Sequence, residues 1–144
     1  MYDMKRTIIP LLLAAFFSVG LVSCQHQTMT SIEFSVRHNE WHEENGMQVY
    51  TFYWPELDAD VVDFGSVNVY MLDHSGAQNQ LPFVYKQDYV DDDGEVYYVP
   101  ENVSYAYGYG YLTLIIEDLD NNTAAPANDN WGSTMTFRAV ALGD

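Results

Sequence analysis

The chain has 144 residues, with 21 Asp and Glu against 5 Lys and Arg, a formal net charge of −16 and one cysteine. That length fits one domain, the charge excludes recognition of a phosphate backbone, which needs clustered Lys and Arg, and one cysteine excludes an internal disulfide or a Cys-rich zinc site. An apolar content of 48%, with 15% aromatic residues, excludes a largely disordered acidic chain.

The first segment has the build of a secretory signal. Lys5 and Arg6 precede an uncharged, mostly apolar run from 7 to 20, and Leu21-Val22-Ser23-Cys24 follows. Residues 7–23 include Pro10 and fall at or below the length that spans about 30 Å of hydrocarbon, so a cleaved signal is favoured over a transmembrane anchor. The ending Leu-Val-Ser-Cys resembles the lipobox of bacterial lipoproteins. That resemblance implies diacylglyceryl transfer to the Cys24 thiol and cleavage before it, with 1–23 as signal peptide, 24–30 as lipidated cysteine and tether, and 31–144 as one domain. The mature chain would have 121 residues and a net charge of −17, with Arg37, Lys86 and Arg138 as its bases. Two or three acyl chains hold a protein stably on a membrane where one does not. No Asp follows Cys24 directly, which favours an outer-membrane destination over inner-membrane retention.

The remainder reads as strands. Residues 31–37 alternate, with Ile32, Phe34 and Val36 on one face. Residues 47–54 are β-branched and aromatic, 65–72 place Val67, Val69 and Met71 together, and 80–86 contain Pro82, which points to an edge strand or a strand start. Residues 95–99, 109–117 and 133–142 complete the set. Asn45-Gly46 and Asp93-Gly94 are the dipeptides of tight type I′ hairpins, and Ser75-Gly76 marks a further break. Only residues 58–64 look helical, with Asp58 as cap and Gly65 as stop. Seven to eight short strands with almost no helix predict an antiparallel β-sandwich, with an up-and-down β-barrel as the alternative.

The lipobox, Trp41, Pro55-Glu56-Leu57 leading through Val61-Val62 to Gly65-Ser66-Val67-Asn68-Val69-Tyr70, Leu81-Pro82 and the apolar strand 136–142 together resemble small Bacteroidetes-type lipoproteins of unknown function. The resemblance implies a β-sandwich in the cell envelope and carries over no catalytic residue.

Candidate chemistry is sparse. His38 and His42 stand four apart but lack the His-Glu-x-x-His order of a zinc protease and lie between strands, where residues four apart sit about 13 Å from each other. Asp118, Asp120 and Asn122 match the first oxygen positions of a calcium loop, and Asp129 falls where its bidentate ligand belongs. Thr123 stands where that loop needs Gly, and Pro126 interrupts it. These four oxygen-bearing side chains are a candidate calcium site; no other cofactor is indicated. Asp91, Asp92, Asp93 and Glu95 read as a solvated turn. No Gly-x-Ser-x-Gly elbow is present, and lipid consumes the only thiol, so no enzyme is expected.

Tyr105, Tyr107, Tyr109 and Tyr111 alternate with Ala106, Gly108 and Gly110. In one continuous strand they share a face opposite Leu112, Leu114 and Ile116. Exposed, such a ladder suits stacking on sugar rings or a protein partner. A bulge at a glycine would turn some of them inward, and tyrosines also cover glycines on a neighbouring strand. The leading expectation is therefore a membrane-anchored envelope lipoprotein serving as a non-catalytic interaction or adhesion module. The alternatives are a carbohydrate-binding module built on the four tyrosines and, behind it, an envelope hydrolase. The expected partners are the membrane, through lipid on Cys24, and a protein or glycan, but no nucleic acid.

Overall fold

The computed structural model describes residues 27–90, 92–119 and 134–144. They form nine strands: β1 (Thr28–Arg37), β2 (His42–Glu44), β3 (Met47–Tyr53), β4 (Ser66–Leu72), β5 (Gln78–Gln80), β6 (Phe83–Val90), β7 (Val96–Gly108), β8 (Tyr111–Asp118) and β9 (Thr134–Gly143). One sheet has the order β1-β9-β4-β5 and the other β2-β3-β8-β7-β6, with every pairing antiparallel. Neither sheet closes on itself, so the architecture is the expected sandwich and not the barrel.

Alternation decides what each strand buries. On β9, Met135, Phe137, Ala139 and Ala141 are buried while their neighbours are half-exposed. Val67, Val69 and Met71 do the same on β4, and Leu112, Leu114 and Ile116 on β8. Small Ala139 and Ala141 leave room for larger rings from the facing sheet, in the manner of interdigitated sandwich cores. Phe34 on β1 meets Phe52 on β3 with ring centroids 4.5 Å apart, and Phe137 at 5.8 Å. Tyr105 crosses the same space, its hydroxyl donating to the Val67 carbonyl at 2.7 Å.

Several local expectations hold. Asn45 and Gly46 both take positive φ (52° and 79°), as a type I′ hairpin between β2 and β3 requires. The Asp58 carboxylate accepts the N–H groups of Asp60 and Val61 at 3.1 and 3.2 Å, capping a single π turn (Asp60–Phe64), and the Gly65 N–H closes it on the Val61 carbonyl at 3.1 Å.

Other elements differ. β1 starts at Thr28, inside the expected tether, because Thr28 to Thr30 find partners in Gly143 to Ala141. The stretch around Pro82 is two strands: β5 pairs with β4, and after Leu81-Pro82 the chain passes to the other sheet as edge strand β6. Pro82 therefore marks a strand start. β6 and β7 are joined by a five-residue connection, 91–95, in which Gly94 takes the left-handed backbone (φ 83°), so Asp93-Gly94 is not a two-residue hairpin. Finally, the expected strand 95–99 extends as β7 from Val96 to Gly108, and the chain turns at Tyr109-Gly110 into β8, so the continuous strand that would set all four tyrosines on one face does not form.

Candidate functional site

That last turn rearranges the tyrosines. Pairing across the hairpin sets Tyr105 opposite Leu114 and Tyr107 opposite Leu112. Both tyrosines thus share the inner face with the aliphatic residues, half-buried and stacked on each other with centroids 6.3 Å apart. Burial raises the pKa of Tyr105 above its ordinary value. Tyr111 lies on the outer face, its ring over Gly108, where an added Cβ would meet the ring at 2.6 Å. Tyr53, its partner on β3, lies over Gly110 in the same way. Tyr109 occupies the turn, and its hydroxyl donates to Asp63 at 2.6 Å, which raises its pKa. The ladder with four rings on one face does not form. Glycine cover by tyrosine, the structural alternative, accounts for Tyr111.

Among the described residues a cleft of about 540 Å³ opens at one end of the sandwich, between the β4–β5 hairpin, β6 and the start of β9. Met71, Phe83 and Met135 give it an apolar floor, and His74, Asn79 and Thr136 a polar rim. The Asp73 carboxylate beside it is engaged by its own turn, accepting from the Ser75 N–H at 2.9 Å, the Ser75 hydroxyl at 2.6 Å and the Ala77 N–H at 2.9 Å. The Ser75 hydroxyl bond is the main reason its pKa falls below the usual carboxylate value.

Tyr85 forms a wall of the cleft and donates its hydroxyl to Glu101 on the neighbouring strand. Glu101 is 1% exposed and lies directly opposite Asp118 across the β7–β8 ladder, so two acids occupy adjacent inward positions. Neither lines the cleft: a molecule bound there meets the tyrosine ring, while the carboxylates stand behind it. Such an arrangement suits recognition of an apolar group with a polar margin. Sequence reasoning missed this cleft because it forms only where β9, distant in the chain, packs beside β4 and where β6 has crossed to the other sheet.

Of the candidate calcium ligands, Asp118 is buried on the inner face of β8, while Asp120, Asn122 and Asp129 lie outside the described residues, as does Cys24. His38 begins a short 3-10 turn and His42 lies on β2, both exposed. Among the described residues, no group of three or more His, Cys, Asp or Glu side chains is placed to hold a metal ion. No helix among them is long and apolar enough to cross a membrane.

The opposite end of the sandwich is apolar in another way. Phe64 on the π turn is 71% exposed, Tyr53 77% and Met29 72%, with Tyr109 and Tyr111 also exposed. They are brought to one end by a chain of contacts. Tyr109 binds Asp63 of the π turn. That turn packs on the end of β9, where positions 142 and 143 also pair with the first residues of β1.

Searches against protein-family models, characterised proteins and solved structures find no match to this chain.

Proposed function

We propose that this protein is a lipid-anchored lipoprotein of the bacterial cell envelope, probed by its surroundings through the cleft and performing no catalysis of its own. Acylated Cys24 holds it to the outer membrane, and the sandwich presents the cleft to a partner. One observation carries the reading. β1 starts at Thr28, four residues after the lipobox cysteine, at the end of the sandwich opposite the cleft. Four residues extend at most about 14 Å, so acylation at Cys24 brings that end to the bilayer and leaves the cleft facing outward. The resemblance of the lipobox and of the segments around Trp41, Pro55 and Gly65 to small Bacteroidetes-type lipoproteins supports the same assignment.

The test is fractionation of the full-length protein and its Cys24→Ala variant, with mass analysis of the mature amino-terminal peptide. The expected result is acyl mass on Cys24 and membrane-bound protein, with the variant released or left uncleaved. An unmodified Cys24 on a protein whose membrane association survives the substitution overturns the anchor. For recognition, a photo-cross-linker at Asn79 on the cleft rim of the anchored protein should give adducts that one at Thr51, on the outer face of β3, does not. Identical adduct patterns from both positions overturn the role of the cleft.

A further inference from the structure

Phe64 is a large apolar ring, 71% exposed, on a turn whose other apolar residues, Val61 and Val62, are buried or packed against the core. It has neighbours of the same character on both flanks. Tyr53 and Tyr111 stand on the outer face of one sheet, Met29 on the outer face of the other, and Tyr109 at the tip between them. Tyr53 and Tyr111 have a structural role over glycines, yet both remain exposed. Together the five side chains form a collar around the end of the sandwich from which the chain leads back to Cys24.

We propose that this collar rests in the headgroup layer of a zwitterionic membrane leaflet and fixes the orientation of the domain on it. The inference rests on the lipid anchor proposed above and adds a second contact to it. Aromatic rings with a polar tip are favoured at the boundary between headgroups and acyl chains, where one end is apolar and the other wet. A reach of about 14 Å between Cys24 and Thr28 leaves this end no room to stand far from the surface.

Charge selects the type of leaflet. Asp58, Asp60, Asp63 and Asp144 lie at the collar. The bases are elsewhere: Arg37 ends β1 at the far end, Lys86 is on β6, and Arg138 is paired with Glu33 at 2.9 Å in the middle of its sheet. Anionic lipids attract clustered Lys and Arg, and this end presents acids instead. The ammonium groups of phosphatidylethanolamine suit those carboxylates, and the rings between them enter the boundary below.

The experiment uses the full-length, processed protein. Acylation consumes the native thiol, so a cysteine introduced by Phe64→Cys, or separately Tyr53→Cys, is the only site for a spin label. Tyr98→Cys, on the exposed start of β7 at the other end, is the reference. The proteins are placed in vesicles of phosphatidylethanolamine and phosphatidylcholine, and collisions of the label with oxygen and with a water-soluble nickel complex are compared. Positions 64 and 53 should show a several-fold rise in the oxygen-to-nickel ratio over position 98. Replacing half the lipid with phosphatidylglycerol should reduce that ratio. Water-like ratios at both positions in vesicle-bound protein overturn the collar alone. A ratio unchanged by phosphatidylglycerol overturns the zwitterionic selection. Label found on Cys24, with the protein off the vesicles, overturns the anchor and the collar with it.

Discussion

The two ends of the sandwich differ in how closely backbone approaches backbone. At the end where β1 starts, backbone meets backbone: the Trp54 N–H donates to the Gly110 carbonyl at 2.8 Å, and the Gly110 N–H to the Leu57 carbonyl at 2.8 Å. Gly65 lies so close to β9 that an added Cβ would stand 1.8 Å from the Leu142 carbonyl oxygen. At the cleft end, side-chain bonds add to the backbone ones: Tyr85 donates to Glu101, and the Asp73 carboxylate gathers its own turn beside the Gly76 N–H bond to the Asp73 carbonyl at 2.9 Å. Backbone contacts leave no atoms free to move aside, whereas side chains rearrange. The first end is therefore intolerant of added volume, and the second is the one able to accommodate a bound molecule.

Adding one carbon at each end tests this most directly. Gly65→Ala should cost about 3 kcal/mol, because only backbone stands in the way. Gly76→Ala, in the turn at the cleft, meets nothing within 4 Å and should cost about 1 kcal/mol from its positive φ alone. Denaturant midpoints of both variants measure the difference, and equal losses would remove the contrast. A smaller effect is expected midway between the ends. Tyr105→Phe deletes the hydroxyl that joins the sheets at Val67 and should cost about 1 kcal/mol in the same measurement.

The smallest effects depend on pH and have opposite signs at the two ends. Asp73 is held below its ordinary value of 3.8, so the stability its turn adds is present above that value and lost as pH falls through the lowered one. Tyr109 is raised above 10.0, first by its bond to Asp63, so its contribution is present below 10.0 and lost as pH climbs through the raised value. Amide exchange at Ser75 and Ala77 in acid, and at Gly110 in base, should show the cleft turn loosening first at low pH and the collar turn at high pH. Asp63→Asn should bring the titration of Tyr109 back toward 10.0, as read by tyrosinate absorbance.

Strict alternation made β1, β3, β4 and β9 legible in the sequence, because one buried face leaves every second residue polar or small. The π turn was legible from Asp58 and Gly65. The tyrosine segment was not. Its residues alternate through the turn as smoothly as within a strand, and the glycines that break it read equally well as spacers. Nor was the change of sheet at Leu81-Pro82, since proline marks where a ladder stops but not where the next one pairs. β2 has three residues, too few for any period to show. The cleft needed tertiary structure: Met71, Phe83 and Met135 are ordinary core-type residues until three strands bring them to a common floor. One unexplained detail remains in the core, where the buried Trp41 indole N–H has no hydrogen-bond partner among the described residues.

The position of β9 governs the order in which the molecule assembles. It lies between β1 and β4, and the hydroxyl pair joining Ser35 to Thr136 spans 101 positions of sequence. Neither β1 nor β4 can enter a four-stranded sheet before residues 134–143 have been synthesised, and pairings this distant close slowly. The strand nearest the proposed anchor is thus also one that waits longest for its neighbour. A chain built this way leaves its first strand without a neighbour until residues 134–143 are available, and then closes that sheet around β9.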